Sequence, residues 1–398
     1  MKNRNFIILW IRDALFAAAA SLTSTSVLSG HLLHVGMSED RISFYLAAVP
    51  LVNLIVSLLF SSIASKTKKT IPVYSVLCLV SGILTGAYAV LFGVADAKTV
   101  MFIFLMILGC LVSGVTAIRN IFDYRLPCEV MNLNDYSFYV SMCGIVGGVA
   151  GLAAGAVLSV SYQHFPFVSV TCGAYLAAGI CYCVAAATNK LLRRIEQTDK
   201  AEKEKVTGNL KTLFGNREFR ILFVPNLIRG IGMAVVPMIT LLAVNDSIIK
   251  ETDGAAVTVF TYLATLISCI AYVWLAKRIG VGRLCALGAI LFCAIVPAFA
   301  GGKVMFYICY TVAYGGYYII NNAVPDMVYR NVNPNLMSIF HTWRLALSTI
   351  GTTVATMIIG WLIGSVSPFV ILFTGAAAHI VCAAAYYFVF TNGRKKIA

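Results

Sequence analysis

Charge is scarce in this sequence. Of 398 residues only 12% are charged, against roughly 25% in a typical soluble domain, while 60% are hydrophobic and mean hydropathy is +0.87. A water-soluble globule of this size has too little interior to hide so much apolar surface, so hydrocarbon must be part of its solvent. A secreted domain, a soluble enzyme and a disordered regulator are thereby excluded. Acids are scarcer than bases: 16 Asp and Glu face 30 Lys and Arg, for a net charge of +14. The excess sits in short runs between long apolar stretches, which suits anionic lipid and membrane topology rather than nucleic acid. No G-x-x-x-x-G-K-[ST] loop occurs, which argues against ATP-driven transport by this chain alone, and neither H-E-x-x-H nor G-x-S-x-G occurs. No enzyme activity, cofactor or metal site is expected. The 12 cysteines form no disulfide framework, since all but Cys128 lie inside apolar runs. Cys181 and Cys183 point to different helix faces and have no second ligand pair.

What the sequence has is long apolar runs. Twelve are long enough to cross about 30 Å of hydrocarbon as helices: roughly 5–34, 42–64, 71–94, 100–123, 136–162, 166–188, 217–245, 256–276, 282–300, 303–325, 338–364 and 367–391. They are too long, and lack the alternation, for barrel strands. The expected fold is all-α, a membrane protein of twelve spans. Lys2, Arg4, Lys66, Lys68, Lys69, the 190–220 stretch, Lys277, Arg278, Arg283 and Arg394–Lys396 fall on one side. Only Arg41, Lys98, Lys250 and Lys303 fall on the other, so both termini are expected in the cytoplasm of a bacterial-type plasma membrane.

A charged stretch at 189–216, read as a solvated cytoplasmic linker, divides the runs six and six into expected bundles at 1–188 and 217–398. The halves look duplicated. Asn3-Arg4-Asn5-Phe6 opens the first span and Asn216-Arg217-Glu218-Phe219 the seventh. Leu126-Pro127 with Val130 follows the fourth span, Val324-Pro325 with Val328 the tenth. Gly151 in the fifth span answers Gly351 in the eleventh.

Ionisable residues inside a span cost about 2.5–3.5 kcal/mol near mid-membrane and so are the first candidates for function. Among the acids Asp13 alone lies well inside a run. Arg229 lies near the middle of the seventh, and Arg12 and Arg344 sit about two turns from the cytoplasmic side. Two readings of Asp13 stand: a carboxylate that carries a proton during transport, or one half of a fixed pair with Arg12, Arg229 or Arg344. A pair with Arg12 is expected to be strained, because sequence neighbours point about 100° apart on a helix. Arg229 has no acid in its own span, so an anion is its expected partner, with Arg12 in a comparable stretch of the first span. Binding of helix-end carbonyls is the plainer alternative.

Tyr307, Tyr310, Tyr314 and Tyr318 share one face of the tenth span and are expected to line a cavity, where phenols bond a polyol or stack on a ring. Asn53 and Asn226 are mid-span amides that serve either a substrate or an interhelical bond. Ser21 and Thr23–Ser26 make the first span unusually polar. Gly147, Gly151 and Gly155 form a smooth face for close packing. His31 and His34 are expected to be interfacial.

Twelve spans, a six-plus-six repeat, a charged central loop and cytoplasmic termini resemble the major facilitator superfamily of secondary transporters. The resemblance implies two pseudo-symmetric six-helix bundles rocking about a midplane site, without a cofactor, acting on a small-molecule substrate as a monomer in lipid. That family carries a Gly/Asp/Arg-rich loop after its second span and a weaker copy after its eighth. Here Ser65-Lys66-Thr67-Lys68-Lys69 keeps only the basic end. In the second copy, Arg278, Gly280 and Arg283 suit a gating or structural role, while Lys277 stands where an acid is usual. Arginines on the first and seventh spans resemble the site of organophosphate antiporters in the same superfamily. An organic or phosphorylated anion is therefore the leading expectation, with proton coupling through Asp13. The alternatives are a sugar-like or nucleoside-like solute, drug efflux, or a non-transporting membrane enzyme or scaffold.

Overall fold

The computed structural model describes residues 2–66, 70–94, 98–131, 136–194, 217–331 and 334–392. The described residues form α-helices joined by short turns, with no strand among them. In order they are α1 (Lys2–Leu22), α2 (Thr25–His34), α3 (Glu39–Lys66), α4 (Thr70–Val94), α5 (Lys98–Val130), α6 (Tyr136–His164) and α7 (Phe167–Asn189). There follow α8 (Arg217–Asn245), α9 (Gly254–Ile279), α10 (Val281–Phe292), α11 (Lys303–Asn331), α12 (Pro334–Leu362) and α13 (Pro368–Asn392). Eleven spans among the described residues are long and apolar enough to cross a membrane. The expected tenth span also forms, as α11, but five tyrosines and two asparagines lower its apolarity below that of its neighbours.

Local chemistry explains where the runs break. The first run divides because Ser24 caps α2, its Oγ accepting from the Val27 amide at 3.3 Å, while Thr23 Oγ1 turns back to the Ala19 carbonyl. The ninth run ends its helix at Phe292 and finishes in two short 3₁₀ turns, the second opened by Pro297. Pro50 and Pro237 are carried inside unbroken helices. Between α9 and α10 the chain turns at Gly280 with φ +81°, a conformation that a side chain disfavours.

The helices group into two compact units. One comprises Met1–Thr198 with Ile249–Leu266, the other Asp199–Ile248 with Ile267–Ala398, so the first half of α9 goes with the earlier helices. Most of the charged linker, 195–216, lies outside the described residues. In the first unit Ile8, Leu9, Tyr74, Cys78, Phe122, Leu126 and Tyr139 form the main core. The small face of α6 is used as expected: a Cβ at Gly151 would lie 2.3 Å from the Tyr262 ring of α9. In the second unit Phe219, Leu222, Cys285, Ile320, Val324, Cys382 and Tyr386 form the corresponding core. The described cysteines are all free.

Candidate functional site

Each unit carries one buried arginine on its first long helix among the described residues, and their partners follow the repeat. In the first unit Arg12 is 2% exposed. Its Nε donates to Asp13 Oδ1 at 2.8 Å, and its Nη2 reaches Asp13 Oδ1 at 2.7 Å and Asp123 Oδ1 at 3.2 Å. Nη2 also donates to the Tyr139 hydroxyl at 2.9 Å, which in turn donates to Asp13 Oδ2 at 2.8 Å. The Cys143 thiol donates to the same oxygen at 2.7 Å, and Tyr74 donates to Asp123 at 2.8 Å. The Arg12–Asp13 pair forms although the two residues are neighbours in sequence, and Tyr139 completes the bridge from α6. Asp13 has hydrogen-bond partners on both of its oxygens.

In the second unit Arg229 is 3% exposed and its Nη2 donates to Asn321 Oδ1 on α11. The separation that relates Pro127 to Pro325 also relates Asp123 to Asn321. One half thus pairs its arginine with a carboxylate and the other with an amide. Arg229 has no carboxylate within ion-pair distance among the described residues, and its Nε is buried without a partner. Its Nη1 is unbonded and not sealed from solvent. Arg344 is buried on α12, 5% exposed.

The two amides are already engaged. Asn53 Nδ2 donates to the Ser113 carbonyl of α5 at 3.2 Å. Asn226 Nδ2 donates to Leu222 O at 2.7 Å, and its Oδ1 accepts from Tyr386 at 2.8 Å. The tyrosine face of α11 forms a ring column. Phe306 stacks on Tyr310 at 5.9 Å, Tyr310 lies 5.6 Å from Tyr314, and Tyr314 lies 6.1 Å from Tyr318. Tyr307 and Tyr310 are buried, while Tyr314 and Tyr318 are half-buried, one turn before Asn321 and Asn322. The column therefore runs toward Arg229 through Asn321.

Around the α9–α10 turn, Arg278 lies 3.7 Å over the Trp274 ring, and Arg283 is exposed. Gly280 supplies the turn. The Lys277 side chain lies outside the described residues. His31 is fully buried, 4.2 Å from the Phe92 ring, with neither ring nitrogen bonded. Only His34 is exposed, with Nδ1 3.3 Å from Glu251.

Sequence reasoning missed three residues. Asp123 was expected at a cytoplasmic helix end, but α5 continues to Val130 and leaves it beside Arg12. Arg119, one turn earlier on α5, is 8% exposed. His379 on α13 is 1% exposed, stacked 4.1 Å from Phe292, with its Nδ1 toward Gly375 O at 3.2 Å and its Nε2 unbonded. Of the three, only His379 offered a signal, as one polar residue standing alone in an apolar run.

The comparisons with known proteins agree with this architecture. Residues 35–367 match the family described as MFS/sugar transport protein. A search of curated proteins finds no match. Among solved structures, the D323A mutant of the nucleoside transporter NupG is similar with TM-score 0.72 at 15% identity, covering 97% of this chain and 99% of that one. A D-xylose-proton symporter is similar with TM-score 0.68 at 12% identity, covering 98% and 99%. A bacterial homolog of the human lysosomal transporter Spinster, inward-facing and unoccupied, reaches TM-score 0.67 at 14% identity, covering 99% of each. Matched over most of its length by that family and folded as its helices require, the chain belongs to the MFS/sugar transport proteins and is a transporter of the major facilitator superfamily.

Proposed function

We propose that the protein is a secondary active transporter of a small organic or phosphorylated anion, working by alternating access with both termini in the cytoplasm. The observation that carries this reading is Arg229: a guanidinium 3% exposed, bonded to a neutral amide, with a buried unpartnered Nε. A charge so placed lacks the compensation that Arg12 draws from two carboxylates, and an arriving carboxylate or phosphate supplies it. Asp13 is the carboxylate assigned to proton coupling.

A second reading, transport of a sugar-like or nucleoside-like solute, is favoured by the ring column and by the likeness to a nucleoside transporter and a D-xylose-proton symporter. A ligand panel read by thermal unfolding in detergent separates the two, because a binder raises the melting temperature by mass action. Phosphorylated and carboxylated solutes, including glycerol 3-phosphate and succinate, are expected to stabilise the protein, and uridine and D-xylose are not. Stabilisation by the uncharged solutes alone would overturn the anion reading.

A further inference from the structure

We propose that Arg119, rather than Arg12, is the residue of the first unit that contacts the transported anion. The inference rests on the anion reading above and names a contact for it. Arg12 is occupied: its Nε and Nη2 are committed to Asp13, Asp123 and Tyr139. Arg119 is not. No carboxylate lies within ion-pair distance of it among the described residues, and its Nε and Nη1 are buried without a hydrogen-bond partner. Its Nη2 makes no hydrogen bond and is not sealed from solvent.

What holds Arg119 in place is aromatic rather than polar. Its guanidinium carbon lies 4.9 Å from the Phe16 ring of α1 and 4.9 Å from the Tyr182 ring of α7. Those rings are themselves 5.6 Å apart. Cation–π contacts position the flat group without consuming its N–H donors, so the donors remain for a carboxylate or phosphate oxygen.

The repeat supplies an independent argument. The separation that relates Pro127 to Pro325 relates Arg119 to Tyr317. Tyr317 meets the last helix of its own half of the sequence as Arg119 does, through the His379 ring at 5.9 Å. The fold therefore accepts an uncharged aromatic at this position, and a buried cation there is not a packing requirement. A buried guanidinium with two unbonded nitrogens that packing does not need points to a ligand.

The test uses the full chain in detergent, with Arg119→Gln, the charge-retaining Arg119→Lys, and Arg119→Tyr, the residue of the other half. The probes are glycerol 3-phosphate, succinate and uridine, titrated at constant ionic strength, with unliganded melting measured in parallel. Arg119→Gln and Arg119→Tyr are expected to bind the anion that wild type binds at least about 30-fold more weakly, with uridine unchanged and Arg119→Lys intermediate. Wild-type anion affinity in either uncharged variant would overturn the assignment of Arg119 while leaving the anion reading in place. Absence of binding to both anions by wild type would overturn the anion reading itself, and this inference with it.

Discussion

Arg229→Gln is expected to weaken anion binding by about 30-fold or more, and Arg229→Lys by less. Glutamine removes the charge and shortens the reach. Lysine keeps a charge but loses the planar fork that meets two oxygens at once. Both substitutions also disturb the bond to the half-buried Asn321, a cost of about 0.5–1.5 kcal/mol. That loss lowers melting with and without ligand alike and is separated from recognition by comparing the anion-induced shift with the melting of the unliganded variant. Anion binding at wild-type strength in Arg229→Gln would remove this residue from the site.

Arg12→Gln is expected to be the more damaging change for stability. It strands Asp13, whose side chain is 16% exposed, with one of its buried pairings gone. Breaking a buried ion pair from one side costs about 3–5 kcal/mol, and the 35% exposure of Asp123 places most of that cost at Asp13. Asp13→Asn in the same chain then removes the uncompensated charge. The double variant is expected to melt above Arg12→Gln alone, which is the coupling that a double-mutant cycle reads. Melting temperatures that fall additively would show that the pair does not act as a unit. Asp13→Asn alone carries the coupling question: with a proton role, it abolishes accumulation driven by a pH gradient while solute exchange persists. Unchanged pH-driven accumulation would remove Asp13 from coupling.

The architecture was legible because the bilayer imposes it. Apolar runs of fixed minimum length, separated by basic segments, leave helices as the available element. Even α11, diluted by tyrosines, stood out between its flanking turns. The break between α1 and α2 was visible only as an unusual density of Ser and Thr, since a cap depends on local geometry. Arg229 was legible because a lone arginine in an apolar run has no innocuous explanation. Arg119 was not, because the fourth span was expected to end near it and α5 runs on to Val130. That Arg12 and Asp13 meet was not readable from backbone direction alone. The 100° between neighbours limits where side chains start, not where a long guanidinium ends. Partners such as Tyr139, Cys143 and Asn321 lie on other helices, and no local pattern announces them.

The most direct measurement of the central claim is solute exchange by the purified protein in proteoliposomes, with radiolabelled anions and uncharged solutes compared in the same vesicles. Vesicles preloaded with unlabelled glycerol 3-phosphate or succinate are expected to take up the matching labelled anion, faster than protein-free vesicles and faster than vesicles bearing Arg229→Gln. Labelled uridine and D-xylose are expected to stay at the protein-free level. Rapid exchange of uridine or D-xylose, with both anions at the protein-free level and Arg229→Gln indistinguishable from wild type, would contradict the account.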